Sequence, residues 1–188
     1  MNAEEAMQKL LDGNARYVVG ERKDYDFEGR RLEVLDGQQP FATVVTCSDS
    51  RVVPEFIFDV NIGEIFKIET AGNVVGPVGL GSIEYGVEHL KTPILMVLGH
   101  TKCGAVTACC QLEGSPGEGN LGEIMKKIQP AALKRNKEIE PAIDENMQCV
   151  KECLLNNSPV IKRAVEGGTT RLVLAKYLLE TGEVKVLG

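Results

Sequence analysis

The 188-residue sequence contains no tryptophan, only two histidines and no basic stretch, and its formal net charge is −6. The missing basic surface argues against nucleic acid or an anionic membrane as a partner. The longest uninterrupted apolar run, Ile94 to Leu98, is far too short to span a bilayer. Residues 1–5 are acidic and lack the apolar core of a signal peptide. We therefore expect a cytoplasmic protein that binds neither nucleic acid nor membranes.

Length and composition indicate one globular domain. Hydrophobic residues make up 43% and charged residues 26% of the chain, which is an ordinary globular mixture. A chain of this length suits one core, so we expect residues 1–188 to form a single domain. The six cysteines are expected to be reduced, metal-bound or catalytic rather than disulfide-bonded. Four of them lie away from other ligand-type side chains and are expected to fill packed helix faces: Cys109, Cys110, Cys149 and Cys153.

Strand-like and helix-like segments alternate through the first two thirds of the chain, which indicates an α/β fold. The predicted strands are residues 41–47, 65–69, 93–99, 171–177 and 184–187. The main predicted helices are residues 3–19, 83–90, a segment beginning near 101, 121–135 and 141–166. Because parallel strands are joined by crossover helices, we expect a mostly parallel central sheet flanked by helices. The last strand is expected to lie at the C-terminal edge of this sheet.

Metal-ligating side chains follow two of the predicted strands directly. Cys47 ends the first strand, and His100 and Cys103 follow the third. In an open parallel sheet, ligands bind beyond the carboxyl ends of the strands. If the two strands are neighbours, two thiols and an imidazole meet there, and these are ligands that zinc prefers. Three protein ligands leave a fourth position free, which is typical of catalytic zinc, so the sequence predicts one zinc ion per chain.

Asp49 and Arg51 lie beside the first predicted ligand and can form a bidentate ion pair. An ionised aspartate next to zinc can bind the metal and close the site. Alternatively, if Arg51 holds it back, Asp49 can accept a hydrogen bond from zinc-bound water, whose pKa zinc lowers from about 15.7 to about 7. A purely structural salt bridge in a loop is the third interpretation.

Three other functions are less consistent with these residues. The glycine-rich segment 72–81 has neither the G-x-G-x-x-G fingerprint nor a P-loop lysine, which argues against nucleotide binding. A thiol redox protein using Cys47 and Cys103 is weakened by the lack of a Cys-x-x-Cys motif. A zinc-storage or regulatory protein would need neither the Asp49–Arg51 pair nor an open fourth position.

The two motifs resemble those of the β-class carbonic anhydrases, which carry C-x-D-x-R followed further along the chain by H-x-x-C. The resemblance is close over residues 30–110 and looser towards the C-terminus. Other similar segments are Gly63 to Phe66, Ala71 to Asn73, Ile83 to Tyr85, Ser158 to Ile161 and Thr181 to Val184.

The resemblance implies a carbonate dehydratase, a lyase that reversibly hydrates carbon dioxide to bicarbonate and a proton through zinc-bound hydroxide. Cys47, His100 and Cys103 would ligate zinc, and Asp49, oriented by Arg51, would accept a hydrogen bond from the hydroxide. Within the same scaffold, hydrolysis of carbonyl sulfide or carbon disulfide stays open as an alternative, because the zinc motifs are shared.

The resemblance also implies roles for residues outside the two motifs. Gln38 matches a substrate-binding glutamine, and Phe66 and Tyr85 match aromatic positions that line the family's pocket, often across a dimer interface. His89 follows Tyr85 by one helical turn, as in members where this position is proposed to relay protons. Family members are dimers or larger, with an N-terminal helix packed on a neighbouring subunit, and residues 3–19 are expected to pack in this way.

Two departures from the family pattern predict an open site. One subgroup binds inhibitory bicarbonate with an arginine and a tryptophan and closes its site through the aspartate. The corresponding positions here are Glu69 and Val44, and neither side chain can perform that role. We therefore predict that Asp49 stays paired with Arg51 and that no bicarbonate-driven switch operates.

Overall fold

The computed structural model describes residues 1–187 and is built on a five-stranded sheet with the order β2-β1-β3-β4-β5. The strands are β1 Ala42–Cys47, β2 Ile65–Thr70, β3 Ile94–His100, β4 Arg171–Tyr177 and β5 Val184–Val186. The first four strands are parallel, and β5 pairs antiparallel with β4 at the C-terminal edge. The mostly parallel sheet and its C-terminal edge strand confirm the predicted fold class.

Helices cover both faces of the sheet. They are α1 Ala3–Val19, α2 Phe27–Glu33, α3 Pro54–Ile57, α4 Pro77–Glu84, α5 Gly104–Cys110, α6 Gly119–Lys134, α7 Ile139–Asn157 and α8 Pro159–Glu166. One apolar layer joins α1 and α3 to one face, and a second layer joins α4, α7 and α8 to the other. Because successive side chains of a strand point to opposite faces, β1 and β3 are buried along their whole length.

The single helix predicted over residues 141–166 is wrong, because the chain breaks at Ser158 and forms α7 and α8. A residue before proline is disfavoured in the helical region, and Ser158 has an extended backbone with φ −130° and ψ 102°. Its hydroxyl oxygen accepts a hydrogen bond from the Ile161 N–H at 3.1 Å and so caps α8. Pro159 then occupies the first turn of α8, where its missing N–H costs nothing.

The start of the chain also differs from the sequence-based expectation in one respect. The segment after Gly20 contains α2, a helix that is not among the predicted ones, and Asp26 caps it by accepting a hydrogen bond from the Gly29 N–H at 2.9 Å. Helix α1 was predicted correctly, and its buried side chains Ala6 and Leu10 pack on this chain's own core. Across residues 1–187, none of the helices has the length and apolar character that crossing a membrane requires.

Candidate metal centre

The two predicted ligand motifs meet at one edge of the sheet because β1 and β3 are parallel neighbours, with Thr46 of β1 beside Leu98 of β3. This register places Cys47 and His100 at the carboxyl ends of adjacent strands. Cys103 joins them from the N-cap of α5. The ligand atoms of these three buried residues all lie within 4.8 Å of one another.

The distances and hydrogen bonds of this cluster fit a tetrahedral zinc ion. The Cys47 and Cys103 Sγ atoms are 3.9 Å apart, and two sulfurs bound to one tetrahedral zinc are roughly 3.8 Å apart. His100 Nδ1 lies 2.9 Å from the Thr101 carbonyl oxygen, to which a neutral imidazole donates its proton. This leaves Nε2 free to ligate, and within the described part of the chain Nε2 is buried with no hydrogen-bond partner.

The pKa values of the two thiols are shifted in opposite directions. A hydrogen bond from Cys103 lowers the pKa of Cys47 to about 4, against the opposing effect of burial. The same hydrogen bond, together with burial, raises the pKa of Cys103 above its ordinary value. A metal that binds both sulfurs as thiolates would displace any thiol proton, so metal binding and proton release are linked.

The Asp49 carboxylate lies beside the three candidate ligands and is hydrogen-bonded by Arg51. Arg51 donates to Asp49 Oδ1 from its backbone N at 3.0 Å and from Nε at 2.9 Å, and to Oδ2 from a terminal nitrogen at 2.7 Å. These hydrogen bonds from Arg51 lower the pKa of Asp49 to about 2. Asp49 Oδ2 lies 3.9 Å from His100 Nε2. An ionised, oriented acceptor therefore stands beside the three candidate ligands.

Comparison with known proteins agrees with this site. The family model described as carbonic anhydrase matches residues 42–184. The chain is 37% identical to a carbonic anhydrase of Mycolicibacterium smegmatis over 96% of this chain and 91% of that protein. The chain belongs to the β-class carbonic anhydrase family.

Solved structures of this family share the fold. The β-carbonic anhydrase CcaA superposes with a TM-score of 0.74 at 27% identity, covering 97% of this chain and 95% of that one. A β-carbonic anhydrase of Sordaria macrospora, described as tetrameric, superposes with a TM-score of 0.72 at 25% identity, covering 84% of this chain and 85% of that one.

The aromatic residues predicted by the family resemblance do not join this chain's own cluster. Phe66 on β2 pairs with Thr43, four residues before Cys47 and therefore about 13 Å away along the strand. The Phe66 and Tyr85 ring centroids are 5.9 Å apart, and the His89 ring lies 5.2 Å from that of Tyr85. We call Phe66, Tyr85 and His89 the aromatic row. It lies beside β2, the edge strand at the opposite end of the sheet from β5.

Gln38, the predicted substrate-binding amide, is also outside the cluster as the structure describes it. It lies in the exposed segment between α2 and β1.

Two acidic side chains outside the predicted site bind the loop from His100 to Cys103. Glu140 Oε1 accepts a hydrogen bond from the Lys102 backbone N at 2.9 Å. Glu180 accepts from the Thr101 hydroxyl at 3.0 Å and pairs with Lys102 Nζ at 2.8 Å. These contacts support the positive φ of 55° at Lys102, which turns the chain from β3 towards Cys103. No sequence signal links these glutamates to the loop, because they come from distant elements.

Proposed function

We propose that the protein catalyses the reversible hydration of carbon dioxide to bicarbonate and a proton, with one zinc ion per chain held by Cys47, His100 and Cys103. The observation that carries this proposal is the ionised Asp49 carboxylate beside the three ligand atoms, 3.9 Å from His100 Nε2. When bound, zinc would supply a Lewis acid that lowers the pKa of a water molecule from about 15.7 to about 7. The relative in Mycolicibacterium smegmatis, which bears the name carbonic anhydrase, supports the same assignment.

In this proposal Asp49 orients the reacting water. As a carboxylate it can only accept hydrogen bonds, so an O–H of the water points at Asp49 and an oxygen lone pair faces the carbon of carbon dioxide. Arg51 binds both carboxylate oxygens, which keeps Asp49 ionised and fixes its orientation. The site is therefore proposed to stay open when loaded.

The residues at the two positions that differ from the bicarbonate-binding subgroup support the open form. Val44 is fully buried in the apolar layer under α1 and offers no hydrogen-bonding group. Glu69 lies 3.8 Å from Lys67 Nζ on the same edge strand, so its negative charge is partly balanced there. A carboxylate at this position repels bicarbonate. A zinc-loaded crystal near neutral pH in which Asp49 binds the metal would contradict the open form.

We further propose that the working unit is a homodimer or larger. Gln38, Phe66 and Tyr85 are assigned to substrate binding and His89 to proton transfer, but the aromatic row lies far from this chain's own cluster. The row would therefore line the site of a neighbouring subunit, where apolar side chains suit uncharged carbon dioxide. Tyr85 is 47% exposed, which leaves its ring available for such a contact. The exposed face of α1 is proposed to pack on the neighbour, and the tetrameric Sordaria macrospora protein supports an oligomer.

Stopped-flow carbon dioxide hydration, measured together with zinc content, tests the proposed activity. We expect one zinc per chain in the wild type and in Asp49→Ala, with turnover about 10²–10⁴-fold lower in the variant. Asp36→Ala, which removes an exposed carboxylate on the surface, is the matched control and should keep wild-type turnover. A wild-type protein with one zinc and negligible turnover would overturn the proposal. Parallel assays with carbonyl sulfide and carbon disulfide identify the alternative substrates.

A further inference from the structure

A backbone N–H group donates a hydrogen bond to one of the three candidate metal ligands. Gly72, in the tight turn that follows β2, donates a hydrogen bond from its backbone N to Cys47 Sγ at 3.3 Å. Its φ of 67° lies in the left-handed region, and a Cβ there would meet Ile128 Cδ1 at 2.7 Å. The turn therefore requires glycine both for its backbone conformation and for its close packing.

The turn is anchored on two sides by asparagine side chains. On the sheet side, Asn73 Nδ2 donates to the Leu98 carbonyl oxygen at 2.6 Å. On the helix side, Asn146 Nδ2 of α7 donates to the Gly72 carbonyl oxygen at 2.7 Å. Asn146 is only 3% exposed and comes 74 residues after Gly72 in the chain. The same peptide turn is thus held by Asn146 at one end and donates to a candidate metal ligand at the other.

The Asn146 amide uses its nitrogen, and not its oxygen, in the structure. Because the Gly72 carbonyl oxygen can only accept, the amide nitrogen of Asn146 must face it, and this fixes the orientation of the amide. Asn146 Oδ1 is then buried without a hydrogen-bond partner in the described structure. An unpaired buried acceptor destabilises a fold. The unpaired oxygen therefore indicates that the hydrogen bond from the Asn146 amide nitrogen to Gly72 has a function.

We propose that Asn146 is a positioning residue for the metal centre, because its amide holds Gly72 where the Gly72 N–H can donate to Cys47 Sγ. This inference rests on the metal centre of the proposed function. Hydrogen-bonded groups around a ligand orient it and tune the electron density that it gives to the metal. Asn146 touches neither substrate nor metal in this scheme, and it acts only through the Gly72 peptide.

Metal affinity and the spectrum of the cobalt-loaded protein test the proposal. Asn146→Leu keeps the side-chain shape and removes the donor, whereas Val150→Ala, on the same helix and also buried, is a matched control for loss of packing. In chelator competition with zinc and cobalt, we expect Asn146→Leu to bind about 10–100-fold more weakly than the wild type. Its thiolate-to-cobalt charge-transfer band should move to lower energy, because the sulfur loses a hydrogen-bond donor. The control should keep the wild-type affinity and band position.

The possible outcomes separate this inference from the functional proposal. If the wild type binds neither metal, the proposed function fails. If the wild type binds and Asn146→Leu matches the Val150→Ala control in affinity and spectrum, the positioning role is wrong.

A second measurement keeps the inference testable if Asn146→Leu does not fold. In the wild type loaded with an NMR-active cadmium isotope, we expect scalar coupling between the metal and the Gly72 amide proton through the N–H···S bond. The smaller substitution Asn146→Ala should weaken this coupling. Absence of the coupling in the wild type, or full coupling in Asn146→Ala, would overturn the proposal.

Discussion

Arg51 binds both carboxylate oxygens of Asp49, with Nε 2.9 Å from Oδ1 and a terminal nitrogen 2.7 Å from Oδ2. The Asp49 side chain is 15% exposed, whereas that of Arg51 is 54% exposed, so the guanidinium holds the carboxylate from the solvent side. The planar fork of arginine matches two carboxylate oxygens at once. The orientation of Asp49 beside His100 therefore depends on this geometry as well as on charge.

Arg51→Lys should impair catalysis although it keeps the charge. A lysine ammonium can contact one carboxylate oxygen but cannot reproduce the fork, so Asp49 becomes free to rotate. We expect kcat/KM for carbon dioxide hydration to fall by about 10–100-fold, with zinc content unchanged. Arg31→Lys, which alters an exposed arginine of α2, is the control and should behave as wild type. Wild-type kcat/KM in Arg51→Lys would show that charge alone suffices.

Replacing single cysteines should distinguish a metal ligand from a cysteine that only packs in the core. Cys103→Ser is expected to lose bound zinc, whereas Cys109→Ser should retain one zinc per chain, because the Cys109 thiol only donates to the Met125 carbonyl oxygen. Zinc at a thousandfold excess over its Kd should raise the wild-type free energy of unfolding by about 4 kcal/mol. Urea denaturation with and without zinc should show this increase in Cys109→Ser and not in Cys103→Ser. Equal zinc retention by both variants would exclude Cys103 as a ligand.

Gly72→Ala should destabilise the protein and weaken metal binding together. The residue has a left-handed backbone, and the new Cβ would approach both Ile128 Cδ1 and Ala105 Cβ closely. We expect the free energy of unfolding to fall by about 1–3 kcal/mol. Gly76→Ala is the matched control, because its φ is −114° and a Cβ there meets nothing within 4 Å. The control should stay within about 1 kcal/mol of wild type, and an equally mild effect in Gly72→Ala would contradict the tight packing.

Glu145 is expected to make stability depend on acid pH. Its carboxylate is 3% exposed and pairs with Lys134 and Arg135, each at 2.6 Å. The hydrogen bond from Lys134 lowers the pKa of Glu145 most strongly, and burial opposes it. A lowered pKa means that this stabilisation is present above the unfolded pKa of about 4.3. It is lost as the pH falls through the folded pKa.

Glu145→Gln should therefore destabilise the protein at neutral pH by about 1–3 kcal/mol. The difference from wild type should shrink as the pH falls below the unfolded pKa. Urea denaturation at several pH values measures this. Glu123→Gln, which alters an exposed carboxylate paired with Lys126, should change stability little at any pH. A pH-independent difference between Glu145→Gln and wild type would rule out the ion pairs as its cause.

His89→Ala should slow turnover only when buffer is scarce. His89 is exposed beside Tyr85, where an imidazole can exchange protons with solvent. We expect the rate to fall in dilute buffer and to recover when imidazole is added. The same variant in concentrated buffer is the internal control and should match the wild type. An unchanged rate in dilute buffer would remove His89 from the mechanism.

Some of the missed structure was accessible from local sequence. The break between α7 and α8 follows from Ser158-Pro159, a capping residue before a proline. Helix α2 has the aspartate cap that is typical of a helix start. Both signals are short-range, because a cap and a proline mark a helix start within a few residues.

The sequence by itself determined the ligand chemistry and the end of the sheet at which it lies. Cys47 and His100 each end an apolar run, and parallel strands bring their carboxyl ends to the same edge. Asp49 and Arg51 pair across two residues, a distance over which local geometry suffices.

Only the tertiary structure decided what surrounds these residues. Asn146 reaches Gly72 across 74 residues, and Glu140 reaches Lys102 across 38. The aromatic row is separated from the three candidate metal ligands by the register of β2 against β1. Such contacts depend on strand order, register and helix placement, which arise from packing of the whole chain and leave no signal in the spacing of neighbouring residues.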